Sequence, residues 1–579
     1  MTSAELTDLR AFTHANAGAA TPALIDFVSA YFDNTDPAEL QVRGPATLLA
    51  MAHAHLRLLQ AQPDAHGARI RVFNPTLAED GFVSEYTVIQ IIQDDMPFLV
   101  DSVTMAVNRS GRIAHWIVHP LLILERDAQQ GLSAVALAST RAPGSAQIQS
   151  FIQVECDRLV SAADRITMAH EISRVLGDVR AAVMDWPAMQ ERLRSVCATL
   201  SASALSDAGQ QEGVEFLRWL EEQHFTFLGA RDYRLTHVDG DVCLEALPGT
   251  GLGILRGDAQ TPVSQLPAEA QLFLDSDQLV LVTKAMTRST VHRPAWLDYL
   301  AVKRFDAAGQ LVGESRFLGL YTSRAYAAPV ASIPQIRRRA ADVMAAVGVV
   351  PDSHAAKALQ AILDTYPRDE LFQVDTATLI THAVAILRLQ ERQRVRVLLR
   401  RDPFGRFTSA QVFVPRDRYN TELRTRIGQE LLQSLDGELI EYTPMLTDSP
   451  LARIHYLIRA RDLAPRSPDV AALEARITRL AQRWEDDVTQ ALLQVHGESR
   501  GLALAERFAH AFSPTYHQDF PGEVGADDAL RLDGLSFEHG LAVQLYRPLD
   551  ASAGQFRLKI YSLVKVALSD SLPLLERMG

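Results

Sequence analysis

Asp94-Asp-Met-Pro-Phe-Leu-Val-Asp-Ser-Val103 is the stretch that sets how the first part of this chain folds. Before it, Tyr86–Gln93 reads as a strand, with Val88 and Ile91 among its apolar residues. After it, Leu99, Val103, Ala106 and Val107 recur at helical spacing and predict an amphipathic helix with one buried stripe. Asp95 is a good N-cap, and Pro97 falls in the first turn, where a missing N–H costs little. Gly111 suits the position just past the helix end. Apolar His115–Leu124 then reads as the next strand. Strand, acidic turn, helix and strand make a βαβ unit, the building block of ferredoxin-like sandwiches.

The same grammar returns at the far end. Phe556–Val566 reads as a strand, and Leu568-Ser-Asp-Ser-Leu-Pro-Leu-Leu-Glu-Arg-Met-Gly579 repeats the acidic turn at Asp570, the early proline and the glycine stop. A half-built unit leaves its apolar face uncovered. The expectation is therefore that the sequence is the front part of a longer protein, with its last domain, 540–579, incomplete.

The 579 residues correspond to roughly four domains. Hydrophobic content of 47% and charged content of 22% belong to ordinary globular protein. A net charge of −13, from 57 basic and 70 acidic residues, argues against a nucleic-acid partner. Cys156, Cys197 and Cys243 lie far apart without metal spacing, which predicts inert thiols in a reducing compartment. The N-terminus lacks the basic and apolar regions of a secretory signal, and no apolar run approaches the length of a membrane span.

The fold class that follows is α+β and multidomain. Residues 1–66 read as helices, most clearly over Ala46–Gln60. The first ferredoxin-like domain occupies 70–190, with a further helix at about Ala162–Val175, and Ser- and Ala-rich 190–212 reads as a linker. Residues 213–325 form a separate, mostly-β module, in which Asp306-Ala-Ala-Gly309 joins strands Leu297–Phe305 and Leu311–Tyr321 as a hairpin. Residues 334–392 are helical, with Asp375 as an N-cap. A β-β-α-β-β order over 393–462 predicts a second ferredoxin-like sandwich. The segment 467–515 is helical, with Val470, Leu473, Ile477, Leu480 and Trp484 on one long helix capped by Ser467-Pro-Asp469.

Most chemical motifs dissolve on inspection. Gly497-Glu-Ser-Arg-Gly501 matches a nucleophile elbow, but helical residues precede it where a strand is required, so Gly497 reads as a helix C-cap. Gly249-Thr-Gly-Leu-Gly253 lacks the third glycine of a dinucleotide loop, and no amphipathic helix follows it. His115 and His119 share a strand face but stand about 13 Å apart, too far to chelate one metal. No metal site is expected.

Two clusters keep a functional reading beside a structural one. The acidic turns at Asp94, Asp95 and Asp570 either cap helices or hold an amino acid's ammonium group while backbone N–H groups receive its carboxylate. Asp101 and Ser102, at the start of the first helix, complete that candidate effector site. The cationic group Lys284, Arg288, His292, Arg293 and Arg316 either binds a carboxylate or phosphate or forms salt bridges to another domain.

Taken in order, these blocks resemble the large NAD-specific glutamate dehydrogenases. The matching segments are Asp94–Val103, Trp219–Gly229, Arg288-Ser-Thr-Val-His-Arg293, Gly313–Thr322, Tyr366–Gln373, Pro415-Arg-Asp-Arg-Tyr-Asn420 and Leu568–Gly579. The resemblance implies a parent enzyme that converts L-glutamate to 2-oxoglutarate and ammonia while reducing NAD, in a large cytoplasmic homo-oligomer. It also implies that this portion carries ACT-like domains, a PAS-type module at 213–325 and helical motifs, with the catalytic domain downstream as its partner. The family's Rossmann fingerprint and catalytic lysine segment have no counterpart in this sequence, so no catalytic or cofactor-binding residue carries over, and the stretch alone is expected to be inactive. Two roles follow from the resemblance: a regulatory region with an amino-acid effector, or a ligand-free assembly scaffold.

Overall fold

The structure is a computed structural model that describes residues 4–16, 22–126, 132–140, 148–202, 208–239, 241–257, 264–266, 268–389, 392–447, 449–461, 468–547 and 556–567, with 569, 572–573 and 576–577. The chain forms two compact units, 1–388 with 401–407, and 389–400 with 408–579.

The first unit opens with helices α1 (Ala4–Asn16), α2 (Pro22–Tyr31) and α3 (Pro37–Arg57). Gly44, at φ 73°, breaks α3, and Pro45 restarts it, as suits proline in a first helical turn. The first sheet follows: β1 (Arg69–Phe73), short α4 (Leu77–Asp80), β2 (Thr87–Asp94), α5 (Leu99–Arg109), β3 (Ala114–Val118), β4 (Leu121–Arg126), β5 (Leu132–Leu137), β6 (Ile148–Cys156) and α6 (Ala162–Met184). The expected strand His115–Leu124 is therefore two strands. Pro120, which has no N–H for the ladder, lies at the break, and its carbonyl accepts from Phe151 N–H at 3.1 Å.

The strand order is β1-β2-β6-β4-β5, with β3 also on β6. Both β2 and β3 pair antiparallel with β6. They are thus parallel to each other, and α5 crosses over β6 between them, which is the split βαβ arrangement. Beside β2 lies β1, which comes from ahead in the sequence and fills the place of the last ferredoxin-like strand. Strand alternation divides the core. Ile89, Ile91, Ile152 and Val154 face the layer of α5 and α6. Val88, Ile92, Trp116 and Phe151 face α1–α3. With both faces covered, every residue of β2 from Thr87 to Gln93 is buried.

Next come α7 (Trp186–Ala202) and α8 (Ala208–Trp219). The expected linker is thus helical over 190–202, and Met189, Leu193, Cys197 and Leu200 form its buried stripe. The second sheet consists of β7 (Phe225–Val238), β8 (Asp241–Ala246), β9 (Leu252–Gly253), β10 (Ser264–Gln265), β11 (Val280–Arg288), β12 (Trp296–Phe305) and β13 (Leu311–Tyr321), with α9 (Ala268–Asp275) before β11. Its order is β10-β8-β7-β13-β12-β11, with β9 on β7, and the pairs are antiparallel.

Residues Leu297, Tyr299 and Ala301 of β12 join the core of α5 and α6. Leu300 and Val302 face the opposite way, into a core with α7, α8 and a helical group. That group is α10 (Ser323–Ala327), α11 (Ile336–Val347), α12 (His354–Asp364), α13 (Arg368–Gln373) and α14 (Thr376–Leu389). Two sheets therefore enclose the α5–α6 layer, and helices cover both outer faces.

The second unit repeats the first domain's topology. Strands β14 (Arg396–Arg401) and β15 (Phe407–Pro415) precede α15 (Thr421–Ser434), and β16 (Gly437–Met445), β17 (Leu451–Ala460) and α16 (Val470–Leu480) follow. The order β14-β15-β17-β16 again puts the earliest strand at the edge beside the strand that feeds the helix. Asn420 caps α15 by accepting from Leu423 N–H at 2.8 Å. The helix expected to run from Val470 through Trp484 stops at Leu480, and Trp484 begins α17 (Trp484–Phe508). Gly497, at φ 74°, breaks α17, as the glycine after a helical stretch should. The unit continues with α18 (Pro514–Asp519), α19 (Gly522–Asp533) and the hairpin of β18 (Leu541–Tyr546) and β19 (Arg557–Ser562).

Candidate functional site at the acidic turn and the loop that meets it

The acidic turn differs from the capping pattern the sequence predicts. The Asp95 N–H donates to Ile148 O at 3.0 Å, so strand pairing with β6 persists past Asp94. The chain then passes through Met96 and Pro97, and Phe98 takes the left-handed conformation, φ 73° and ψ 6°, at the N-cap of α5. No side chain caps this helix. Asp95 is exposed, and Pro97 lies ahead of the first helical residue. Asp94 pairs with Arg180 of α6 at 3.0 Å. Ser102 is fully buried, and Asp101 sits in the first turn. Asp570 lies outside the described residues.

Part of the cationic cluster comes to this turn. The loop between β11 and β12 enters beside α5 and α6. The His292 N–H donates to Ser102 Oγ at 3.1 Å, and His292 Nδ1 stands 3.7 Å from the Asp101 carboxylate. The His292 and Phe98 rings lie 4.9 Å apart. Thr290 Oγ1 donates to Asp178 of α6 at 2.8 Å. Inside the loop, Ser289 Oγ donates to Val291 O at 2.6 Å, and the Val291 side chain is fully buried. His292 has φ 74°, so two bulky residues in the left-handed region touch across this seam. Each such conformation costs about 1–3 kcal/mol and persists only where its surroundings hold it.

The other cations do not converge there. Lys284 lies on the opposite sheet face with Asp298 at 2.7 Å and Asp369 of α13 at 3.6 Å. Burial opposes the Lys284 charge, but the two carboxylates outweigh it and hold the ammonium above the ordinary lysine range. Burial is also the largest influence on Asp298, which is pushed up to about 6 despite Lys284, with Asp369 adding to the rise. Arg293 donates to Tyr321 O at 3.1 Å, and Tyr326 OH donates to Asp369 at 2.7 Å. Arg316 is held by Glu314 at 2.6 Å and covers the Tyr233 ring at 3.7 Å. Arg288 lies over Trp296 at 5.0 Å. The sequence reading groups Glu314 with these cations but omits Asp298, whose signal is a carboxylate on a strand that is otherwise buried.

The Gly249–Gly253 loop does not fit a dinucleotide. A Cβ on Gly253 would stand 2.1 Å from Leu228 O, and one on Gly251 would stand 2.2 Å from Leu255 O. These glycines let the loop press onto β7, and protein atoms fill the space a pyrophosphate would need. Cys156 and Cys197 are buried, which pushes both thiols up to about 11. Among the described residues no group of three or more His, Cys, Asp or Glu could hold a metal ion, and no helix is long and apolar enough to cross a membrane.

Against known proteins, residues 27–172 match the glutamate dehydrogenase ACT1 domain, 396–485 the ACT2 domain and 540–579 the ACT3 domain. Residues 333–392 and 491–535 match helical motifs 1 and 2 of the same enzyme. The chain is 35% identical over 527 residues to an NAD-specific glutamate dehydrogenase of Halomonas elongata, covering 90% of this chain and 32% of that protein. It is 32% identical over 566 residues to that of Pseudomonas aeruginosa, covering 97% of this chain and 35% of the relative. A Mycobacterium tuberculosis relative of the same name is 27% identical over 557 residues, 92% of this chain and 32% of the relative. The chain thus spans about a third of the length of the curated relatives it matches.

Proposed function

Since the chain belongs to the large NAD-specific glutamate dehydrogenases, in the portion with the ACT domains and helical motifs, we propose that it is the regulatory region of such an enzyme. The parent reaction on this reading is oxidation of L-glutamate to 2-oxoglutarate and ammonia with NAD, in a cytoplasmic homo-oligomer. Catalysis belongs to the remaining two thirds of the relatives' length, and NAD binds there. The partner of this region is that catalytic portion.

The observation that carries the reading is the seam between Phe98, Asp101 and Ser102 on one side and His292 on the other. The turn that feeds the first ACT helix is not a free surface loop. It is held against the second sheet, which we read as the PAS-type module, by two conformations that are strained one residue at a time. A ligand that settles differently on the turn shifts this contact, and a ligand can move such an equilibrium by no more than its difference in affinity for the two arrangements. The α5–α6 layer, packed on both sheets, carries the change onward. The second reading, a ligand-free scaffold, is favoured by the fact that Ser102 Oγ already accepts from the His292 N–H.

A thermal-shift screen of the chain with the common amino acids separates the two. The regulatory reading expects one or a few of them to raise the melting temperature saturably, with no NADH formed from L-glutamate and NAD by this chain alone. A ligand present at 100 times its dissociation constant stabilises by about 2.7 kcal/mol. No response to any amino acid would leave the scaffold reading.

A further inference from the structure

The hairpin of β18 and β19 meets the helices before it through polar groups. The core of α17 and α19 is built from Val488, Leu492, Leu504, Phe508 and Ala529 among others, with Trp484 and Phe512 packed against it. Among the described residues the hairpin adds no side chain to that core. Its apolar residues Leu541, Val543 and Leu545 alternate on a face that stays exposed. On the other face Gln544 stands opposite Lys559, and Ala542 opposite Tyr561.

That face converges on one carboxylate. Asp528 of α19 is 3% exposed. Its Oδ1 accepts from Tyr561 OH at 2.7 Å. Its Oδ2 accepts from Lys559 Nζ at 2.5 Å and from the Tyr516 hydroxyl of α18. Lys559 also lies over the Phe520 ring at 4.2 Å, and Gln544 Nε2 donates to Asp527 at 3.3 Å. Residues 534–540 link α19 to β18, with Gly534 and Gly540 at the ends and Phe537 fully exposed between them.

A contact of this kind opens differently from an apolar core. When the donors and the carboxylate part, water takes up both, which offsets much of what their contact supplies. Apolar side chains that part find no such replacement. We propose that Asp528 is a releasable joint: the hairpin swings away from α18 and α19 as one body when Lys559 and Tyr561 leave the carboxylate. Small residues at both ends of the link suit a hinge. Since α19 lies in the stretch matching helical motif 2 and the hairpin in the stretch matching the ACT3 domain, the joint sets how those two parts move against each other. It stands whether or not the region binds an effector.

The test is hydrogen exchange on the full-length protein, wild type against Lys559→Met, Asp528→Asn and the double variant. In the wild type the amides of β18 and β19 are expected to exchange together and faster than those of α17. Each single variant should speed them about tenfold or more, the scale of one lost hydrogen bond to a charged group, with α17 unchanged. The double variant should be no faster than the faster single, because both changes remove one contact. Tyr561→Phe, which keeps the ring and loses one hydroxyl, should give a smaller acceleration in the same strands. Effects that multiply in the double variant would mean that the two side chains act separately. Equal acceleration in α17 would mean a general loss of stability, and none in either single would mean that other contacts hold the hairpin. Each of these three results would overturn the joint.

Discussion

Lys284→Met is expected to destabilise the first unit by roughly 3–5 kcal/mol, the usual cost of breaking a buried ion pair from one side. The Lys284 side chain is 7% exposed and that of Asp298 is 1% exposed, so water cannot replace the missing partner. Asp298 also accepts from Tyr321 N–H at 3.4 Å, which fixes the carboxylate in place. The double variant Lys284→Met, Asp298→Asn removes both charges and should recover most of the loss. Asp369 is left with the Tyr326 hydroxyl and, at 33% exposure, with partial access to water. Urea unfolding followed by amide exchange in β11 and β12 reads both outcomes. A single variant no less stable than the double would show that the buried Lys284–Asp298 pair does not stabilise this part of the second sheet.

Acid should loosen the first domain well before its carboxylates titrate. His55 on α3 is fully buried, accepts from Tyr31 OH through Nδ1 at 2.6 Å and donates through Nε2 to Ile91 O at 3.1 Å. Burial lowers it from the ordinary 6.5 to about 3, against the pull of the Ile91 carbonyl. The native ring therefore stays neutral between about pH 6.5 and 3, while the unfolded chain takes up a proton. Stability is fully present above pH 6.5 and lost as pH falls, on the order of 2 kcal/mol by pH 5 at 1.36 kcal/mol per unit. Exchange at the β2 and β6 amides should rise over that range. His55→Gln keeps a donor for Ile91 O and should flatten the pH dependence while lowering stability at pH 7. An unchanged slope in that variant would assign the acid sensitivity to other groups.

The two periodic signals around Asp94 were readable because strand alternation and helical spacing act locally. The helix start was not. Asp95 has the chemistry of a cap, but its N–H is taken by Ile148 O on a strand that lies fifty residues on in the chain, and Phe98 absorbs the change of direction instead. Serine and alanine made 190–202 resemble a linker, although its apolar residues already stood three and four apart and are buried in the helix. Sequence proximity alone groups the cationic cluster. Alternation along β11 and β12 sends Lys284 and Asp298 to one face and Tyr299 to the other, where it meets Glu314 and Arg316. Of that group His292 meets the acidic turn, through a left-handed backbone that nothing in Ser-Thr-Val-His announces. The Asp369 partner comes from α13, inside the matching segment Tyr366–Gln373, far from the cluster in sequence.

The most direct test uses steady-state NADH formation by the full-length dehydrogenase, wild type against His292→Gly, with and without the amino acid that stabilises the isolated region. Glycine accepts φ 74° readily, so the loop keeps its backbone while losing the contacts to Phe98 and Asp101. The regulatory reading expects the amino acid to change the wild-type rate. It expects the variant to bind that amino acid with its rate no longer responding. An equal response in wild type and variant would contradict coupling through the seam, and a wild-type rate indifferent to the bound amino acid would contradict a regulatory role for this region.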